Sequence, residues 1–107
     1  MSLVDKFLEI DYPFPVDRVH YALMGVANQI KGMNFKGINN NVYVFKSKTS
    51  FWSWGENVLV TLNSLPNSHT RVSIRSTPVV PTTLVDWGKN KKNIILIKTA
   101  LDQVLSR

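Results

Sequence analysis

The sequence predicts an α+β fold of order β-α-β-β-β-β-α, a twisted antiparallel sheet with two helices packed on one face. Three observations predict it. Two segments carry apolar residues at three- and four-residue steps, the pattern of a helix with one buried stripe. Between them, several short segments alternate apolar and polar residues at period two. The links between those segments are short, which suits antiparallel neighbours. The chain has 107 residues, so one domain spanning 1–107 is expected.

Each element follows from local signals. Leu3 to Tyr12 mixes Val4, Phe7, Leu8 and Ile10 with charges and reads as a strand ended by Pro13 and Pro15. Val16 to Ile30 reads as the first helix, with Val16, Val19, Leu23, Val26, Ala27 and Ile30 on one stripe. Pro15 suits a helix start, Asp17 favours the positive end of the macrodipole, and Lys31-Gly32 form a stop signal. Four strands follow: Met33 to Ile38, Val42 to Lys48, Phe51 to Asn63 with Gly55 as a bulge or bend, and Thr70 to Ser76. Asn39-Asn40-Asn41 and Leu65 to Ser68 are turns. Trp87 to Ser106 reads as the final helix, with Ile94, Ile97, Leu101, Val104 and Leu105 on its stripe and Ile95, Leu96 and Ala100 broadening it. In the strands, Val42, Val44, Val72 and Ile74 are assigned to the core face. Tyr43, Phe45, Arg71, Ser73 and Arg75 then fall on the open face.

Composition narrows the function classes. There is no cysteine, which excludes disulfides and thiolate-held zinc and fits a reducing, cytoplasmic setting. No signal-peptide pattern is expected at the start, and the apolar run Ile94-Ile95-Leu96-Ile97 is too short to span a bilayer. Thirteen Lys and Arg against seven Asp and Glu give a net charge of +6, which favours acidic partners. His20 and His69 stand alone, Asp5, Glu9, Asp11 and Asp17 form no marked acid–base pair, and no phosphate-binding glycine loop is present. The expectation is a protein that is not an enzyme and needs no cofactor or metal.

Two segments stand out. In Asp86-Trp87-Gly88-Lys89-Asn90-Lys91-Lys92-Asn93, Asp86 is an N-cap candidate, and Lys89, Lys91 and Lys92 crowd a helix start where positive charge is disfavoured. An anion held there would compensate them; so would Asp86 and Glu56. In Phe51-Trp52-Ser53-Trp54-Gly55-Glu56, Trp52 and Trp54 share one strand face and either line a pocket or cover the core. Trp87 completes this group if the two segments meet. The candidate ligand-binding residues are therefore Trp52, Trp54, Glu56, Asp86, Trp87, Lys89 and Lys92.

These two segments resemble those of a group of small uncharacterised bacterial proteins, over roughly the second half of the chain. The resemblance implies kinship and no activity. The element order also resembles the β-α-β4-α arrangement of TBP-like and small START-like domains, which implies a fold and not a function.

Three readings follow. The first is a binding module for a small anionic or amphipathic ligand, resting on the tryptophans beside the lysines. The second is a homodimeric or partner-docking protein that uses Tyr43, Phe45, Arg71 and Arg75 on the open sheet face. Nucleic-acid binding by that face ranks third, because no RNP-like motif is present.

Overall fold

The computed structural model describes residues 2–4, 6–47, 55–78 and 89–106. The chain runs β1 (Ser2–Val4), β2 (Phe7–Tyr12), α1 (Val16–Val26), β3 (Met33–Asn39), β4 (Val42–Ser47), β5 (Glu56–Leu65), β6 (His69–Pro78) and α2 (Lys89–Leu105). The strands form one antiparallel sheet in the order β1-β2-β6-β5-β4-β3. The expected α+β order holds for the long strands. The first predicted strand is instead a hairpin, in which the short β1 folds back on β2 and pairs Ser2 with Glu9.

Local chemistry sets the turns. Asn40 and Asn67 take left-handed φ values of 57° and 62° in the β3–β4 and β5–β6 links, a conformation asparagine tolerates better than most residues. α1 opens on Pro15, whose carbonyl accepts from the amides of Arg18 at 3.0 Å and Val19 at 3.2 Å. It ends at Val26, one turn before the expected Ile30. The chain then turns through 27–32 and enters β3, and Gly32 supplies the φ of +86° that this reversal uses.

Both helices cover one face of the sheet. α1 contributes Val19, Ala22 and Leu23, and α2 contributes Ile94, Ile97, Leu101 and Leu105. Against them stand Leu8 of β2, Val58, Val60 and Leu62 of β5, and Val72 and Ile74 of β6. Directly opposed residues share a face, so the rows Leu8–Ile74–Val60–Tyr43 and Val58–Phe45–Phe35 cross the sheet beneath the helices.

That register corrects one expectation. Tyr43 and Phe45 do not lie on the open face. They are buried, 5% and 0% exposed, and Val42 and Val44 take the other side. Both alternating sets on β4 are apolar, so periodicity alone leaves the phase undecided. Pairing decides it, because Tyr43 opposes Val60 and Phe45 opposes Val58, residues already turned inward. Phe45 also packs on Phe35 with ring centroids 5.1 Å apart, which favours burying the larger side chains.

Candidate functional site: an inter-helix groove at the basic end

The helix directions bring sequence-distant residues to one end of the sheet. β4 ends there at Ser47, β5 starts there at Glu56, β6 ends there at Pro78, and Met33 of β3 pairs with Ser47. α2 begins at this same end, since its Asn93 bonds to Glu56 and Ser76. Its far end meets the start of α1, where Tyr12 donates to Asp102 at 2.6 Å.

Of the candidate ligand-binding residues, Glu56 starts β5 at this end. It is 3% exposed, and its carboxylate accepts from Ser47 Oγ at 2.8 Å and from Asn93 Nδ2 at 2.8 Å. Asn93 Nδ2 also reaches Ser76 Oγ at 3.3 Å, and the Glu56 amide donates to Ser47 Oγ at 2.7 Å. Buried polar groups that are fully bonded in this way fix geometry more than they perform chemistry. Gly55 is part of the same construction. Its φ is +94°, and a Cβ on it would lie 2.7 Å from the Ser47 carbonyl oxygen. The strand start therefore takes glycine for its close backbone approach. Trp52, Trp54, Asp86 and Trp87 lie outside the described residues, although the flanks of both segments, Ser47 and Gly55, Pro78 and Lys89, all sit at this end.

The predicted lysines are at this end too. Lys89 is the first residue of α2, and Lys91 and Lys92 are exposed in its first turn. Lys31 follows α1 at the same end and is exposed. None of Lys31, Lys91 and Lys92 makes an ion pair among the described residues. The first turn of α2 contains no acidic residue.

A groove of about 290 Å³ opens between the end of α1 and α2. Its floor is Val26, Ile30, Leu96, Ala100 and Val104, all buried or half-buried. Exposed Lys31, Ile95 and Thr99 stand on its rim. Sequence reading assigned Ile95, Leu96 and Ala100 to a broadened core stripe. Ile94, Ile97 and Leu101 are fully buried, Leu96 and Ala100 pack against the core as expected while also lining the groove, and Ile95 alone of the set is exposed. A helix with more apolar residues than one contact needs is the signal that reveals such a groove.

The other candidates have local roles. On the open face, Arg71 makes a bidentate pair with Asp11, at 2.8 and 3.1 Å, and lies 3.7 Å from Glu9. This pair holds the Asp11 carboxyl below its ordinary range. Arg75 sits over the Phe7 ring at 4.9 Å. His20 Nδ1 bonds the Tyr43 hydroxyl, and His69 Nδ1 meets the Asn67 carbonyl at 2.8 Å. Asp102 takes both Tyr12 and Lys98. Among the described residues no group of three or more His, Cys, Asp or Glu is arranged to hold a metal ion. Nor is any described helix long and apolar enough to cross a membrane.

This arrangement places the chain in a class of small α+β domains, with an antiparallel sheet that carries its helices on one face. Solved structures of that fold include protein MLL2253 from Mesorhizobium loti, with a TM-score of 0.64 at 13% identity over 95% of this chain and 98% of that one. Ara h 8.0201 is similar at a TM-score of 0.55 and 12% identity, over 94% of this chain and 98% of its own. The di-domain ARO/CYC StfQ from the steffimycin biosynthetic pathway is similar at 0.50 and 10% identity, over 94% of this chain and 43% of its own. At these identities the likeness is one of fold. By sequence, the chain matches no family model and no curated protein.

Proposed function

We propose that the chain is a single-domain, non-catalytic binding module for a small anionic or amphipathic ligand. The observation that carries this reading is the groove between α1 and α2, with an apolar floor, a mixed rim and exposed lysines at one end. Convergent polar groups around an apolar pocket are the usual form of a small-molecule site. The absence of cysteine fits work in the cytoplasm.

Magnitudes set the class of ligand. At about 30 Å³ per water-sized group, the groove takes roughly ten such groups. Its run along α2, from Ile95 to Val104, is about 14 Å at 1.5 Å per residue. Burying methylenes there contributes about 0.8 kcal/mol each. Association entropy offsets several kcal/mol of that gain. Binding on the order of 10 µM to 1 mM follows for a medium alkyl chain. The test is calorimetric titration of the full chain with decanoate, beside Thr99→Trp, which sets an indole across the groove from an exposed helix position. Binding by the parent and its loss in the variant support the reading. Unchanged binding in Thr99→Trp removes the groove as the site.

A second reading has its own observation. Phe7, Arg75, Leu59 and Val44 form one cross-strand row on the open face, and its apolar members are only half-buried. Aromatic and arginine residues in such a row have the composition of an interface centre. A second copy of the chain would dock face to face, since the register shift at Phe35/Gly37 and Lys36 make edge pairing through β3 unfavourable. Sedimentation at high concentration tests this, and a strict monomer removes it. Nucleic-acid binding ranks below both, because Arg71 is committed to Asp11 and Glu9.

A further inference from the structure

The groove has an apolar floor, and among its described lining residues only Lys31 is charged. Lys31 lies on its rim where α1 has ended, and Lys91 and Lys92 precede Ile95 and Leu96 by one helical turn. Residues four apart share a helix face, so the two lysines continue the α2 wall of the groove beyond its apolar part. Helical side chains lean toward the N-terminus, so both lysines extend beyond the apolar part of the groove at the start of α2.

The positive end of the α2 macrodipole lies at this same end and adds its own potential. Along the rest of the groove the polar residues are neutral, Gln29, Thr99 and Gln103. The nearest described acid on α2, Asp102, is bonded to Tyr12 and Lys98. Glu56, also at this end, is buried behind Asn93.

We infer that the ligand is a single-chain amphiphile with an anionic head, bound in one orientation, head between Lys31, Lys91 and Lys92 and tail along α2 toward Val104. This inference rests on the groove reading and deepens it. Three exposed lysines at one end of the groove complement one anion. A cationic head would meet three ammonium groups and the positive helix end. A neutral head would gain nothing from them. A carboxylate and a phosphate monoester satisfy the arrangement equally, because both present several acceptor oxygens.

The test titrates the full-length protein with decanoate, decylphosphate, decyltrimethylammonium and inorganic phosphate, followed by amide NMR shifts and calorimetry. The two alkyl anions are expected to bind about tenfold or more tighter than the alkyl cation. Their shifts should fall at both Lys31–Lys92 and Ala100–Val104. Reversing charge with Lys31→Glu and Lys92→Glu together should reduce decanoate affinity by about tenfold and raise that of decyltrimethylammonium. These are exposed positions, so the fold is preserved and is checked by an unchanged amide spectrum.

Equal binding of all three alkyl compounds, with shifts confined to the groove, overturns the anionic head and leaves the groove reading standing. No response to any alkyl compound overturns both. Inorganic phosphate binding as tightly as decylphosphate also overturns the inference, since the chain would then contribute nothing.

Discussion

Asn93 of α2 donates through Nδ2 to Oε1 of Glu56 on β5 at 2.8 Å, both residues being buried. This bond ties the start of the last helix to the end of the sheet where the groove and the lysines meet. Removing one partner leaves a buried polar group short of a bond, which costs about 1–3 kcal/mol. Asn93→Ala is therefore expected to lower stability by that amount in urea denaturation. A double-mutant cycle with Glu56→Ala should show a coupling of about 0.5–3 kcal/mol. Additivity of the two variants would show that the contact does not anchor α2.

The two glycines Gly55 and Gly25 predict opposite outcomes for one substitution. Gly55→Ala places a Cβ 2.7 Å from the Ser47 carbonyl at a φ of +94°. It should destabilise by about 1–3 kcal/mol or more. Gly25 lies in α1 with nothing within 4 Å of an added Cβ. Gly25→Ala should stabilise by about 0.5–1 kcal/mol. Thermal melts of both variants check the pair.

Lys91 and Lys92 link stability to binding with opposed signs. Both sit at the positive end of the α2 macrodipole. Lys91→Glu and Lys92→Glu should each raise stability by about 0.3–1 kcal/mol at low salt, while reducing affinity for decanoate. Stability and affinity falling together would mean that these lysines hold the helix rather than a ligand.

The pH dependence has two arms. Burial, and then the hydrogen bond to Asp102, raise the Tyr12 phenol well above its ordinary value. The fold thus favours the neutral phenol. Its contribution is full below the ordinary range near pH 10 and is lost as pH rises through the raised value. Burial raises Tyr43 as well. Tyr12→Phe should cost about 1 kcal/mol at neutral pH and flatten the alkaline decline in stability. Asp11 acts in the opposite sense. Arg71, chiefly by hydrogen bonding, lowers its pKa, so its contribution is present above the ordinary aspartate range and is lost as pH falls through the lowered value. Arg71→Gln should weaken that acid-side dependence.

The fold was legible where one pattern excluded its rivals. The steps Val19, Leu23 and Ile94, Ile97, Leu101 allow only one buried helix face, and Val72 and Ile74 alternate with charged or hydroxyl residues. On β4 the rule ran out, because Val42-Tyr43-Val44-Phe45 is apolar on both phases and only the pairing with Val58 and Val60 decides. The site was half legible. The crowding of Lys91 and Lys92 shows in sequence, because it breaks the macrodipole rule. The groove does not, because it needs the end of α1 to pack beside α2. Ile30, Ile95 and Leu96 line one groove although four strands, β3 to β6, separate them in sequence.

The central claim is that the ligand lies between the two helices rather than between the helices and the sheet. Intermolecular NOEs from the alkyl chain of bound decanoate to protein methyl groups test it most directly. Contacts to Ile30, Ile95, Leu96 and Val104 are expected. Contacts to Leu23, Val60 and Ile97 of the core, or to Val42 and Leu59 of the open face, would contradict it.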